Sequence, residues 1–179
     1  MNKVEAIQVL RAWDQQGKYV FTHGDLRKLF LNDKDKAFNE GLGRLVKAGL
    51  LVRACRGVYV NPYALSQDSY TIEHIAKALR RGEFNYVSLE SVLSEYGAIS
   101  QILLDRLTVM TTGREGVYQT PYGTIEFTHT GRATADILES MHNVPNRPLR
   151  VASKEVAWRD LKRVGRNINM VDTGVFDGE

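Results

Sequence analysis

One segment in the first third of the chain carries several lysine and arginine side chains and one asparagine. Arginine and lysine donate hydrogen bonds to guanine edges and to phosphates, and an asparagine amide matches the edge of adenine. We assign Arg44 and Lys47 to guanine edges or phosphates, and Asn39 to adenine. Lys34 and Lys36, nearer the start of the segment, are assigned to phosphates. These residue types predict a nucleic-acid contact.

Two more arginines follow in the run LLVRACRGVYVNP, which reads as two short strands, 51–54 and 58–60, around a glycine turn. Arg53 and Arg56 flank or occupy this turn. From such a turn a long cation reaches backbone phosphates or the narrow minor groove. For each cation taken alone, an ordinary solvated side chain is an equally good interpretation.

The charge of the chain is unevenly distributed. Up to Asn61 there are 11 lysine and arginine residues and 6 acidic ones, a net charge of +5, whereas the remainder has 13 and 15, a net charge of −2. A basic first third suits a module that binds a polyanion.

The elements that must position these cations are three helices. The first carries Val4, Ile7 and then Leu10 or Trp13 at helical spacing and ends before Gly17. The second begins at the cap Thr22, with Asp25 in the capping-box position and Leu26, Leu29 and Phe30 as its buried side. The run LND is a turn before the third helix.

The third helix, about residues 34–48, has two different faces. Phe38, Leu42 and Leu45 share the apolar side. The opposite side is basic and polar, and it consists of Lys36, Glu40, Gly43, Arg44 and Lys47. Three helices followed by a basic hairpin predict a winged helix-turn-helix domain over residues 1–62, whose third helix reads the major groove.

Beyond Pro62 the pattern is that of a small α+β domain over residues 63–179. TIEHIAKALRRG and SLESVLSEYG are helical, RLTVMTTG is a strand, and VYQTPYGTIEFTHT is a hairpin. A last helix, VASKEVAWRDLKRVG, begins at the cap Ser153. The predicted fold class of the whole chain is therefore α+β.

The last helix carries four cations on the face opposite Ala157, Leu161 and Val164: Arg159, Lys162, Arg163 and Arg166. Our hypothesis is that this face meets DNA or an acidic partner. The alternative is a solvated helix surface.

The sequence offers little for catalysis. The four histidines, His23, His74, His129 and His142, lack metal-binding spacing, and Cys55 is the single cysteine. There is no phosphate-binding glycine loop or nuclease-like array of acids. We therefore predict a protein that is not an enzyme, with no cofactor. No apolar run is long enough to cross a bilayer, and the N-terminus lacks signal-peptide features, so we expect a cytoplasmic protein without a membrane partner.

The run GRLVKAGLLVRACRGVYVNP resembles the recognition-helix end and wing of the AbiEi antitoxins of type IV toxin–antitoxin systems. YVSLESVLSEYGAIS, LTVMTTG and TPYGTIEFTHT are similar to successive parts of the second domain of that family. VASKEVAWRDL matches a later family helix more loosely. The resemblance extends from about Tyr19 to Leu161.

This resemblance implies a repressor that binds inverted repeats in its own promoter through the N-terminal domain. Because such domains usually meet repeated half-sites as dimers, we expect a homodimer on DNA. It also implies that the C-terminal domain counteracts a cognate nucleotidyltransferase-like toxin. The alternative function is a toxin-binding interaction module with little or no specific DNA binding.

Overall fold

The computed structural model describes residues 1–99 and 105–176. It divides into two compact units, Met1–Leu79 and Arg80–Glu179. Ser100, the last residue of the run YVSLESVLSEYGAIS, lies outside the described residues. None of the described helices combines the length and apolar character that crossing a membrane requires.

The first unit combines four helices with one small sheet. In chain order its elements are α1 (Lys3–Asp14), β1 (Val20–Thr22), α2 (His23–Leu29), α3 (Asp35–Lys47), β2 (Val52–Cys55), β3 (Val58–Val60) and α4 (Thr71–Leu79). The strands are antiparallel in the order β1-β3-β2. Helices α1 to α3 enclose a core that includes Leu10, Phe21, Leu26, Phe38 and Leu42. This is the predicted winged helix, with one additional strand.

The additional strand is β1, which the sequence did not reveal. It is three residues long, too short for an alternating pattern to stand out. It pairs with β3, with Val20 opposite Val60 and Thr22 opposite Val58. Strand β1 therefore anchors the wing to the N-terminal end of α2, because Thr22 is also the α2 cap. The predicted capping box of Thr22 and Asp25 is confirmed.

Helix α4, which the sequence reading assigned to the second domain, lies in the first unit. It packs against β1 and β3. The hydroxyl of Tyr19, just before β1, is 3.2 Å from the Thr71 hydroxyl at the start of α4 and 3.0 Å from Asp68 Oδ1. Because Tyr19 is buried, these hydrogen bonds satisfy a hydroxyl that would otherwise lose its contact with water. The compact unit thus extends to Leu79, beyond the predicted boundary at residue 62.

The second unit is built around a mixed six-stranded sheet. Its elements are β4 (Asn85–Val87), α5 (Leu89–Glu95), β5 (Arg106–Thr111), β6 (Gly116–Thr120), β7 (Gly123–His129), α6 (Thr134–Ser140), β8 (Met141–His142), β9 (Arg150–Ala152) and α7 (Lys154–Val164), followed by short 3₁₀ helices at Ile168–Met170 and Thr173–Phe176. The strand order is β6-β7-β5-β4-β9-β8. The β5–β7 and β4–β9 pairs are parallel, and the others are antiparallel.

Helices α5 and α7 pack against each other beside this sheet. The predicted helix, strand, hairpin and last helix of this region are all present, and Ser153 caps α7 by accepting from the Val156 N–H at 3.2 Å. The sequence did not reveal β4, β8, β9 or α6, which are two to seven residues long. The predicted α+β class is confirmed.

Candidate nucleic-acid interface

The two faces of α3 divide as the sequence predicted. Phe38, Leu42 and Leu45 are buried against α1 and α2. The outer face is exposed along its length, and it includes Lys36, Asn39, Glu40, Gly43, Arg44 and Lys47. Lys34, at the cap position of α3, is exposed as well. A packed inner face and a polar outer face are what a helix needs to enter the major groove while remaining attached to its domain.

The cations of this face lack ionic partners within the described part of the chain. Among the described residues, Lys34, Lys36, Arg44 and Lys47 take part in no ion pair and no side-chain hydrogen bond. Their charges are therefore not neutralised locally and remain available for phosphates or base edges.

The wing also presents its two arginines to solvent. Gly57 adopts a left-handed conformation, φ +80°, which closes the β2–β3 turn and favours glycine. The register shifts along β2: Arg53 pairs with Tyr59 and Cys55 with Val58, which leaves Ala54 as an extra, buried residue. Arg53 and Arg56 are exposed, and neither forms an ion pair within the described chain.

His23 joins α3 to the wing. As the first residue of α2, it donates its backbone N–H to the carbonyl of Gly57 at 2.8 Å. Its ring Nε2 lies 2.8 Å from Asn39 Oδ1, and its ring packs edge-on against Phe38 with centroids 5.2 Å apart. Since an amide oxygen only accepts, Nε2 is the donor of this bond. His23 thereby links α2 to both α3 and the wing turn.

This contact fixes the amide of Asn39. Its Oδ1 accepts from His23, whereas its amide nitrogen has no partner among the described residues. A carbonyl oxygen has two lone pairs, so Oδ1 retains the capacity to accept a second bond. Asn39 therefore keeps the donor and acceptor that recognition of adenine requires. Sequence reasoning missed His23 because it lies 16 residues from Asn39 and no local pattern relates the two.

A known family model covers the segment that runs from α1 through α3 to the wing. Residues 8–62 match the family model of the AbiEi antitoxin transcriptional regulators. This match confirms the AbiEi resemblance over residues 8–62. The matched AbiEi segment runs from α1 through the wing to Pro62 and so includes every residue assigned above to DNA.

A solved structure shows a similar fold. The crystal structure of the RV2827C protein from Mycobacterium tuberculosis matches 76% of this chain with a TM-score of 0.50 and 15% sequence identity. The chain spans about half of the length of that protein, because the match covers 48% of it. At this identity the likeness concerns the fold alone. No curated protein matches the sequence.

Not every cation of the AbiEi-matched segment is free. Arg27 of α2 contacts Asp35 Oδ1 through Nε at 3.0 Å and donates from Nη1 to the Phe30 carbonyl at 2.9 Å. Its guanidinium also lies over the ring of Phe38, 5.4 Å from the centroid. Arg27 therefore holds α2 against the first turn of α3 and is a supporting residue of the interface.

The four cations predicted to share a face of the last helix do not form one common face, because α7 ends at Val164 and Arg166 follows it. Arg166 contacts Glu90 through Nε at 2.9 Å and Glu126 through Nη1, so it belongs to an internal ion-pair cluster. This corrects its assignment to the hypothetical partner face. Arg159 lies 3.3 Å from Ser140 Oγ and 3.6 Å from Asp160 Oδ1. Lys162 and Arg163 are exposed and have no ion pair within the described chain.

The residues weighed for catalysis are dispersed. His74 is 3.5 Å from Asp68 Oδ2, and His129 Nδ1 is 2.9 Å from the Gly113 carbonyl. Burial raises the pKa of the Cys55 thiol, although Arg53 opposes the shift, so the group is a thiol at neutral pH. Over the described ranges, no three His, Cys, Asp or Glu side chains are grouped closely enough to hold a metal ion.

Proposed function

We propose that this chain is a DNA-binding transcriptional repressor that autoregulates its own operon. The AbiEi match indicates an antitoxin or transcriptional-regulator role for the segment that contains the winged helix. The observation that carries the proposal is the outer face of α3, where Arg44 and Lys47 are exposed and unpaired within the described chain.

The proposed mechanism is occupancy of operator DNA, and it requires no reaction and no cofactor. Helix α3 enters the major groove, where Arg44 and Lys47 contact guanine edges or phosphates and Asn39 contacts adenine. Lys34 and Lys36 bind phosphates at the N-terminal end of α3. Arg53 and Arg56 contact the backbone or the minor groove from the wing. Two copies on inverted half-sites would give a homodimer on DNA.

We extend the proposal to a cytoplasmic role in a toxin–antitoxin pair. The second unit would hold a cognate toxin. Lys162 and Arg163 of α7 are exposed and form no ion pair with the described residues, so they suit an acidic partner surface. An interaction protein of this kind with little specific DNA binding is the second candidate function.

Fluorescence anisotropy with the duplex from upstream of the gene and a shuffled duplex of the same composition tests the repressor. We expect the upstream duplex to bind roughly 10³-fold more tightly or better. Its affinity should fall steeply with salt, because each neutralised phosphate releases counterions with a logarithmic slope of about −0.9. Equal affinity for the two duplexes would refute sequence-specific repression and favour the interaction protein.

A further inference from the structure

A partly enclosed cavity of about 250 Å³ lies within the second unit, between the end of β7, the loop that follows it, and α7. Its wall includes His129, Thr130, Arg132, Asp160 and Arg163. It therefore combines two guanidinium groups, one imidazole and one carboxylate. Neither the AbiEi-matched segment nor the proposed DNA contact includes any of these residues.

Asp160 is the buried anchor of this wall, with 2% of its surface exposed. Its Oδ2 accepts hydrogen bonds from the hydroxyls of Tyr86 at 3.0 Å and Ser88 at 2.9 Å. Burial, and after it the charge of Asp160, raises the pKa of Tyr86, so this hydroxyl remains a donor. The hydroxyls of Tyr86 in β4 and of Ser88 just after it thus fix the Asp160 carboxylate.

The other oxygen of Asp160 is not satisfied. Its buried Oδ1 accepts no hydrogen bond from the described residues. It lies 3.4 Å from Nη2 of Arg132 and 3.6 Å from Nη2 of Arg159, which are distances of charge attraction. Charge attraction to Asp160 therefore holds Arg132 at the cavity. The N–H groups of Arg132 form no hydrogen bond of good geometry with this carboxylate.

The charge of the wall is unbalanced in favour of an anion. Arg132 and Arg163 contribute two positive charges and Asp160 contributes one negative charge. Arg163 has no ion pair within the described chain. A guanidinium presents a planar set of donors that matches phosphate oxygens, so two of them around one cavity form a suitable phosphate site.

We propose that this cavity binds the phosphate group of a small phosphorylated ligand. Arg132 and Arg163 donate to the phosphate oxygens, and Asp160 is a positioning residue that holds Arg132 at the wall. A small ligand is favoured over the backbone of a duplex because the Arg132 side chain is only 15% exposed. The site is independent of the proposed DNA contact.

The probes are inorganic phosphate and ribose 5-phosphate, with ribose as the uncharged control. In a ¹H–¹⁵N NMR titration of the full chain, both phosphates should cause saturable shifts of the Gly131, Arg132 and Val164 amides. Ribose should cause none. Absence of saturable shifts with both phosphates, or equal shifts with ribose, would overturn the proposal.

Matched variants localise the site. Arg163→Gln should weaken phosphate binding about tenfold, because it removes a charge-assisted contact. Lys162→Gln removes the same charge from the neighbouring exposed position outside the cavity wall, and it should change the affinity less than about twofold. Arg132→Lys keeps the charge but loses the planar donor set, so it should weaken binding as well. Equal effects of the 162 and 163 variants would contradict the proposal.

A shuffled DNA duplex distinguishes the small ligand from a nucleic-acid backbone. With saturating ribose 5-phosphate, the duplex affinity should remain unchanged, because the duplex does not occupy the cavity. The assignment to a small ligand would be overturned if ribose 5-phosphate competed with the duplex and if Arg163→Gln weakened the binding of both.

Discussion

The cations that we assign to DNA in the first unit differ in their partners from several arginines of the second unit. In the winged helix, the cations of the outer α3 face and of the wing have no acidic partner within the described chain. In the second unit, Arg106 pairs with Glu126 at 2.6 Å, Arg147 with Glu95 at 2.8 Å, and Arg166 with Glu90 and Glu126. Counting charges along the sequence cannot separate these uses. Only the positions of the carboxylates show which cations support the fold and which are available to a ligand.

The largest stability effect should come from Arg166. Replacing it with glutamine leaves Glu90, whose side chain is 4% exposed, without a cation among the described residues, whereas Glu126, which is 11% exposed, keeps Arg106. We expect a loss of about 3 kcal/mol in the free energy of unfolding of the second unit, since an unpaired buried charge is costly. Urea unfolding followed by Trp158 fluorescence, in a Trp13→Phe background, measures this unit specifically.

The matched control for that experiment is Arg163→Gln, three residues earlier in the chain. Arg163 is exposed and has no ion pair within the described chain, so the change should stay within about 0.5 kcal/mol. Similar unfolding free energies for the two variants would mean that the paired cation contributes no more than the unpaired one.

A smaller effect, on DNA affinity, is expected at His23. His23→Ala removes the donor to Asn39 Oδ1 and the ring contact with Phe38, so the amide of Asn39 loses its fixed orientation. We expect about tenfold weaker binding to the upstream duplex, equivalent to about 1.4 kcal/mol, as measured by anisotropy. His23→Gln retains an N–H donor and should recover part of the loss. Unchanged affinity in His23→Ala would show that Asn39 needs no support.

Asp14 shows that an acid of the winged-helix unit holds a loop instead of neutralising a cation. Its carboxylate accepts from the Leu65 N–H, the Ser66 N–H and the Ser66 hydroxyl, at 2.9, 2.9 and 2.6 Å. The Ser66 hydroxyl and then the Ser66 N–H lower the pKa of Asp14. Ser66→Ala should therefore cost about 1 kcal/mol of unfolding free energy at pH 7.

The sign of the pH dependence follows from this lowered pKa. Because the pKa of Asp14 lies lower in the folded than in the unfolded chain, its contribution is complete above the ordinary value of 3.8. It disappears as the pH falls through the folded pKa. The difference between wild type and Ser66→Ala in urea unfolding should stay nearly constant above pH 3.8 and shrink as the pH falls below that value. A difference that stayed constant below that value as well would exclude the ionised carboxylate as its source.

The smallest effect should come from the wing. Arg56→Gln removes one exposed cation that contacts phosphates in the proposed complex, so affinity should fall two- to threefold, roughly equally for the upstream and shuffled duplexes. The salt slope should decrease by about 0.9. A loss confined to the upstream duplex would instead assign base recognition to Arg56.

Local patterns predicted much of the winged helix. The separation of Phe38 and Leu42 from Arg44 and Lys47 on α3 is set by helical period, and Thr22 and Asp25 form a capping box within one turn. Exposure of the predicted contact residues followed from the same period. These features depend on residues within about three helical turns of one another, so the sequence displays them directly.

The missed features depend on distant residues. Arg166 meets Glu90 and Glu126, which are 76 and 40 positions away, because β7 and α5 lie next to the end of α7. In the sequence, Arg166 follows the pattern of cations of the last helix, and that pattern alone favoured a solvated surface. The bond between His23 and Asn39 and the pairing of β1 with β3 likewise exist only after the chain has folded.

The most direct test of the account compares two double variants on the upstream and shuffled duplexes. Arg44→Ala with Lys47→Ala removes free cations of the winged helix, and Lys162→Ala with Arg163→Ala removes two exposed cations of the second unit. We predict that the first pair reduces binding of the upstream duplex to the level of the shuffled one, whereas the second pair leaves the preference intact. DNA recognition by α3 would be contradicted if the first double variant still preferred the upstream duplex, or if only the second double variant lost that preference.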